Sequence, residues 1–372
     1  MKIGFFGGTF DPVHIEHIQI CLNAKQELNL DKIIVMPSGT PPHKFKMTGK
    51  EHRFNMASLA FSGIDFIEID DYEINKEDKS FTYETLSYLK EKFPADELFL
   101  IIGSDNLNEF YAWKNPEIIL NTARMVVSQR IGNKTAKSTI DDFIRKYNHT
   151  PIILQQYGSN VSSTQMRAFL EFRLEDDYMP QKVYEYIVKN DLYHERKDFI
   201  GKIKGYLTEK RYRHTAYMVG EAIKIGVWQK IDLNKVFIAA ALHDIAKKFS
   251  ADELESFGYK IGYYPKKVEH AFAGRYIARR DFEIVDEDIL NSIAYHTTAR
   301  ANMSILEKVI YVADCIEKTR NYLGVEELRK MVYNNFEEGF MACLKATLEI
   351  LENDPGYEIS DLTREAYNFY IK

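Results

Sequence analysis

The sequence predicts two domains of different class: an α/β half on a doubly wound parallel sheet over residues 1–195, and an all-α half over residues 196–372. Three observations carry this. The chain has 372 residues, more than one hydrophobic core usually serves. In its first half, short apolar runs alternate with longer amphipathic stretches, as parallel strands joined by crossover helices require. Beyond Asp198 the β-branched runs stop and three- and four-residue apolar spacing takes over.

The expected strands are Lys2–Phe6, Lys32–Met36, Ile64–Ile69, Leu98–Ile102, Arg124–Ser128 and Ile152–Gln156. Helical spacing falls between them over His14–Leu28, Glu51–Phe61 and Tyr83–Lys92. The second half offers Arg211–Trp228, Leu233–Lys247, Val268–Arg280, Ile305–Ile316 and Val325–Leu351 as helices. The charged, aperiodic stretch from Asp191 to Lys197 separates the two patterns and sets the expected boundary.

Composition narrows the functional classes. Hydrophobic residues make up 45% and charged residues 28%, which suits a folded chain and not a disordered one. A net charge of -6 leaves no global positive field for long nucleic acids, so any phosphate site must be local. Cys21, Cys315 and Cys343 are too scattered for a disulfide framework. The apolar N-terminal run is too short for a signal peptide, and nowhere do about 18 apolar residues follow one another. The expectation is a cytoplasmic protein without membrane or nucleic-acid partners, with homo-oligomerisation left open.

After the first strand comes Gly7-Gly8-Thr9-Phe10-Asp11-Pro12-Val13-His14-Ile15-Glu16-His17, leading into a helix. Glycines let backbone approach a ligand, and a helix N-terminus offers unpaired N–H groups to an anion. His14 and His17 share a face of the opening turn and can donate to the same phosphate chain. A tight turn with two surface histidines is the alternative.

Further blocks follow in order: Pro37-Ser38-Gly39-Thr40-Pro41-Pro42-His43-Lys44, Glu51-His52-Arg53, Ser80-Phe81-Thr82-Tyr83-Glu84-Thr85-Leu86, Ile102-Gly103-Ser104-Asp105-Asn106-Leu107, Trp113, and Val161-Ser162-Ser163-Thr164-Gln165-Met166-Arg167. Together they resemble the HxGH nucleotidyltransferase superfamily with its Rossmann-like fold, specifically the bacterial nicotinate-nucleotide adenylyltransferases, over residues 1–193. The resemblance implies transfer of AMP from ATP, as its Mg2+ complex, to nicotinate mononucleotide, giving the dinucleotide precursor of NAD and pyrophosphate. It implies that Gly7, Gly8, Thr9 and Phe10 form the nucleotide loop and that His14 and His17 hold the triphosphate. Lys44 would supply a mobile charge, and Ser162, Ser163, Thr164 and Arg167 would hold the departing phosphates. Thr85 and Trp113 would lie at the nicotinate ring, and Gly103 and Asp105 at the ATP nucleoside. The incoming phosphate is already an anion, so positioning and charge neutralisation carry such a reaction. Glu16 stands where the family motif has glycine; a carboxylate at a helix start suits the dipole but repels a triphosphate in the same place, so either Glu16 points away from the nucleotide or ATP binding is weakened.

The helical half contains His214, His243, His270 and His296. His243-Asp244 ends the apolar run Val236–Leu242, and Asp314 lies in the apolar stretch Val309–Ala313. Ionisable groups on helices that want burial need partners or a cation, and as a set they point to a shared metal. Any one alone would be read as a hydrogen-bonded core residue.

The order H…HD…H…H…D resembles the HD-domain phosphohydrolases, and within them the YqeK branch, on the strings Arg213-His214-Thr215, Ala241–Lys247, Tyr295–Arg300, Asn302–Ser304 and Ala313–Lys318. The resemblance implies symmetrical hydrolysis of diadenosine tetraphosphate to two ADP at a dinuclear transition-metal site. His214, His243, Asp244 and Asp314 would hold one ion, and His270, His296 and a bridging Asp244 the second. Iron is the first choice, with manganese or zinc compatible with the same ligands. Lys247 and Arg300 are candidates for binding polyphosphate, and Ala271 and Ala299 stand where that branch has glycine. A regulatory module that senses a nucleotide is the rival reading of this half, and nicotinamide mononucleotide or pantetheine phosphate are rival acceptors for the first.

Overall fold

A computed structural model describes residues 1–40, 47–129, 137–155, 161–353, 356 and 358–372. All six expected strands form: β1 (Lys2–Gly8), β2 (Lys32–Pro37), β3 (Ile67–Ile69), β4 (Glu97–Gly103), β5 (Arg124–Ser128) and β6 (Ile152–Ile153). They make one parallel sheet in the order β3-β2-β1-β4-β5-β6. The near-continuous apolar runs are explained by burial: Ile33, Ile34, Val35 and Met36 of β2 are all enclosed. Strand order reverses between β1 and β4, which pair with Phe6 opposite Ile101. In an open α/β sheet the crevice at that reversal, beyond the carboxyl ends of the strands, is where ligands bind. Gly7 and Gly8 end β1 and Gly103 ends β4 at this crevice.

Two strands are shorter than expected, for local reasons. Residues 61–67 wind through turns, with Ile64 N–H donating to Phe61 O and Ile67 N–H to Ile64 O, so those donors are spent before β3 begins. At β6, the N–H of Gln155 goes to the Glu27 carboxylate at 3.1 Å instead of to a neighbouring strand. Gln156 lies outside the described residues.

The helical half also departs from the expected boundaries in two informative places. The helix expected over Leu233–Lys247 ends at Leu242, and His243 and Asp244 occupy the turn beyond it. The stretch Val325–Leu351 is two helices, Val325–Asn334 and Phe336–Glu352. Asn335 leaves helical geometry at φ -151°, and its side chain caps the second helix by accepting from the N–H groups of Glu337 and Glu338. The two helices pack against each other, so closely that a Cβ on Gly339 would fall 2.4 Å from Val332 Cα.

By contacts the chain divides into two compact units, one of residues 1–163 and 175–192, the other of residues 164–174 and 193–372. The first holds the sheet. In the second, the helices Glu209–Gln229, Leu233–Leu242, Glu287–Ala294 and Ile305–Ile316 pack around a core that includes Val219, Ala239, Ile293 and Val309. No helix among the described residues is long and apolar enough to cross a membrane.

Candidate functional site

In the first unit, the loop after β1 is held by groups the sequence reading quoted but gave no role. Arg53 is only 1% exposed. Its guanidinium donates to the carbonyls of Thr9 (3.0 Å), Ser38 (2.7 Å), Gly39 (2.8 Å) and Thr48 (3.0 Å). A single cation thus ties the loop after β1 to the loop after β2. Gly39 also lies against the Glu73 backbone, where a Cβ would fall 2.1 Å from Glu73 O. Phe10 takes a left-handed φ of 48° and buries its ring against Phe6, His17 and Phe61. Its side chain therefore packs beneath the loop, while Gly7, Gly8 and Thr9 keep surface above it.

His14 caps the helix Ile15–Leu28 in extended conformation, and its backbone N–H donates to His17 Nδ1 at 3.1 Å. With Nδ1 accepting, the neutral form of His17 carries its proton on Nε2. The two imidazole rings lie 3.9 Å apart between centroids. Ser163 Oγ donates to Pro12 O at 3.0 Å, which fixes the start of the helix Ser163–Leu170 to the same loop. On that helix Arg167 donates to Thr164 Oγ1 at 3.0 Å, both in the segment grouped with the second unit. Ser162 is half-buried just before the helix begins.

At the crevice, Asp105 is exposed and folds back over Gly103, where a Cβ would meet its Oδ1 at 2.4 Å. Thr85 is buried, and its hydroxyl donates to the enclosed carboxylate of Glu73 at 2.7 Å. Burial raises the Glu73 pKa above the ordinary carboxylate value, opposed by hydrogen bonds from Thr85, Ser80 and Gly39. Trp113 is half-buried against Phe110, ring centroids 5.3 Å apart. Glu16 is buried in the first turn of its helix. Lys44 lies outside the described residues.

The second unit gathers the expected metal ligands into one cluster. His214, His243 and Asp244 bring ligand atoms within 4.8 Å of one another, and so do Asp244, His270 and His296. Asp244 is common to both groups. Asp314 joins through Oδ1, 3.1 Å from His214 Nε2. His270 Nε2 and His296 Nε2 stand 3.3 and 3.4 Å from Asp244 Oδ1, and His214 Nε2 stands 3.2 Å from His243 Nε2.

Two of these imidazoles are oriented by the ends of helices. His243 Nδ1 bonds Ala240 O and His296 Nδ1 bonds Ile293 O, each at 2.7 Å and each three residues back. Each ring caps a carbonyl at the end of its helix, and each Nε2 is left with a lone pair toward the cluster. His214 Nδ1 is held by Glu317 Oε1 at 3.1 Å, a carboxylate–histidine pair of the kind that orients metal ligands. The sequence reading missed Glu317. Its only trace in the sequence is a glutamate three residues after Asp314, and its full burial belongs to the fold.

Electrostatics agree with the geometry. Burial pushes His243 down to about 3 and His270 down to about 4, so both are neutral bases. For His214 burial is outweighed by Asp314 and Glu317, which push it up to about 9. Asp244 is held well below the usual carboxylate range by its histidines in spite of burial, and Asp314 by Arg320. Asp244 Oδ1 and His296 Nε2 are buried without a hydrogen-bond partner among the described residues. Unsatisfied acceptors facing one another, beside the neutral bases His243 and His270 and two ionised carboxylates, fit transition-metal ions.

Three cations already press on this cluster. Arg211 Nη1 lies 2.6 Å from Asp244 Oδ2, Lys247 Nζ lies 2.9 Å from His270 Nε2, and Arg320 pairs with the Asp314 carboxylate. Arg300 instead forms a two-pronged pair with the buried Glu307, at 2.6 and 3.0 Å. Its guanidinium is committed to structure, and its expected part in polyphosphate binding has no support in this geometry.

A family model described as cytidylyltransferase-like matches residues 5–169, and an HD-domain model matches residues 211–319. The chain is 39% identical over 201 residues to a probable nicotinate-nucleotide adenylyltransferase of Clostridium tetani, spanning 98% of that protein and 52% of this one. This chain belongs to the nicotinate-nucleotide adenylyltransferase family. Behind the family's domain it carries a helical HD domain. The same pairing occurs in a probable nicotinate-nucleotide adenylyltransferase/Ap4A hydrolase of Mycoplasma genitalium, 27% identical over 364 residues, which are 95% of this chain and 99% of that one. A solved HD superfamily hydrolase from Clostridium acetobutylicum, titled as involved in NAD metabolism, aligns with 47% of this chain and 96% of its own length, with 33% identity and a TM-score of 0.42.

Proposed function

We propose that the chain is a bifunctional enzyme, with residues 1–195 transferring AMP from MgATP to nicotinate mononucleotide and residues 196–372 hydrolysing diadenosine tetraphosphate symmetrically to two ADP. The observation that carries this is the likeness, end to end, to a relative named for both activities, combined with a ligand cluster that retains every expected histidine and aspartate.

In the transferase half, the attacking oxygen belongs to a phosphate that is already ionised, so no residue need remove a proton. His14 and His17, together with Lys44, Ser162, Ser163, Thr164 and Arg167, are assigned by resemblance to the nucleotide's phosphates, whose charge they would neutralise. Arg53 acts at one remove, holding the Thr9 carbonyl against the loop after β2. Thr85 and Trp113 are assigned to the nicotinate ring, and Gly103 and Asp105 to the ATP nucleoside.

In the hydrolase half, His214, His243, Asp244 and Asp314 would hold one ion and His270, His296 and Asp244 the other, with iron preferred over manganese and zinc. A bound pair of this kind supplies a water of lowered pKa and a clamp on the phosphoanhydride oxygens. The helix-end carbonyls of Ala240 and Ile293 keep His243 and His296 in the tautomer that can serve as ligands.

The test is to incubate metal-replete protein with ATP plus nicotinate or nicotinamide mononucleotide, and separately with diadenosine tetraphosphate, and to resolve the products by chromatography. Formation of the nicotinate dinucleotide in the first case and of ADP alone in the second is the expected result. ATP plus AMP in the second would mean asymmetric cleavage and would overturn the hydrolase assignment.

A further inference from the structure

The ligand cluster carries a cation whose placement the metal reading does not explain. Arg211 sits three residues before His214 on the helix Glu209–Gln229, hence on the same face, and reaches Asp244, the carboxylate common to both ligand groups. An arginine bound to a carboxylate for structure normally uses two prongs, as Arg300 does with Glu307. Arg211 uses one: Nη1 meets Asp244 Oδ2 at 2.6 Å, and among the described residues its guanidinium has no other partner. Its side chain remains 34% exposed while Asp244 is almost fully enclosed. The rest of its N–H fork therefore faces away from the protein's own acceptors.

Arg320, the other guanidinium at the cluster, is the contrast. It bonds both the carboxylate and the backbone carbonyl of Asp314 and reaches toward Glu317 at 3.6 Å, so it is anchored on several sides.

We propose that Arg211 is a phosphate clamp: it neutralises Asp244 while that carboxylate lacks cations, and turns its fork to the polyphosphate once cations take the carboxylate's charge. This rests on the proposed hydrolase function and names a phosphate-binding residue for it. The chemistry is electrostatic. Dications and a guanidinium compete for one carboxylate, so loading raises the local positive charge and leaves the fork in want of an anion. An anhydride-linked phosphate chain supplies adjacent oxygens at the spacing a guanidinium binds in two-pronged fashion.

The prediction has opposed signs, which separates a clamp from a structural strut. In the full-length protein, Arg211→Ala should tighten Mn2+ binding several-fold after chelator treatment, because a competing cation is gone. The same variant should weaken binding of inorganic tripolyphosphate to the Mn2+-loaded protein at least tenfold, read by calorimetry as the increment that Asp244→Ala abolishes. Arg211→Lys, which keeps the charge but loses the fork, should leave Mn2+ affinity near wild type and weaken tripolyphosphate by an intermediate factor. Unchanged tripolyphosphate binding in both variants would overturn the proposal, as would a joint loss of Mn2+ and tripolyphosphate affinity in the lysine variant. Because the probe is inorganic, the clamp can stand even if wild-type protein leaves diadenosine tetraphosphate intact. If wild type hydrolyses that substrate and both variants bind tripolyphosphate normally, only the clamp fails.

Discussion

The two candidate sites are built on opposite plans. In the first unit the candidate groups sit on loops and helix starts beyond the carboxyl ends of β1 and β4, with the glycine loop after β1 braced from beneath by Arg53 and the Phe10 ring. In the second unit they are side chains, sunk among helices and aimed by the carbonyls of Ala240 and Ile293 and the carboxylate of Glu317. A site carried on loops depends on whatever fixes them. A site made of buried imidazoles and carboxylates depends on each ligand directly. The contrast predicts where each half is vulnerable.

The largest effect belongs to Asp244. Since it serves both ligand groups, Asp244→Ala should strip the second half of transition metal and lower diadenosine tetraphosphate hydrolysis by about 1,000-fold or more. Adenylyl transfer should stay within about twofold, because no transferase group is touched. Elemental analysis with the two product assays checks this, and retained metal would break the contrast.

Next comes Arg53. Replacing it by methionine keeps the bulk but leaves four carbonyls without their donor, at a cost of about 2–4 kcal/mol to the first unit. Adenylyl transfer should fall by more than tenfold while hydrolysis persists, as assays of both reactions alongside thermal melting would reveal.

Glu73 gives a smaller, pH-dependent effect. Burial raises its pKa in the folded protein above the ordinary 4.5, so folding favours the protonated form. The stabilisation is complete below the unfolded pKa and is lost as pH climbs through the folded value. Glu73→Gln keeps an oxygen for the Thr85 hydroxyl and cannot ionise, so it should raise the melting temperature at pH 8 relative to wild type and flatten its decline above the ordinary carboxylate range. A lower melting temperature for the variant at pH 8 would reverse the assigned sign.

The smallest change is expected from Glu16→Gly. Removing a carboxylate from the first turn of the Ile15–Leu28 helix should tighten apparent ATP binding by about two- to fivefold, measured as the Michaelis constant of the transfer reaction.

The contrast also explains what could be seen in the sequence. The strands were legible because a sheet covered on both faces forces uninterrupted apolar runs, as in Ile33–Met36. The candidate metal ligands were legible because histidine and aspartate stood out against apolar helical surroundings. Arg53 was not, since an arginine in an amphipathic helix reads as solvated, and only the fold brings Thr9, Ser38 and Gly39 around it. The placement of His243 in a turn was hidden for a related reason: the ring's own bond to Ala240 O helps stop the helix that periodicity would continue. Lys247 and Arg300 looked alike as candidates for polyphosphate, and their partners alone separate them.

The unequal anchoring of the four imidazoles carries one last implication. His243 and His296 are pinned to main chain and His214 to the buried Glu317, itself held by the Thr319 N–H and hydroxyl, whereas His270 answers to Lys247, whose side chain is 29% exposed. Exchange of one ion for another of different radius would then be absorbed on the compliant flank, so the enzyme could tolerate several metals while keeping a fixed reference edge for its substrate.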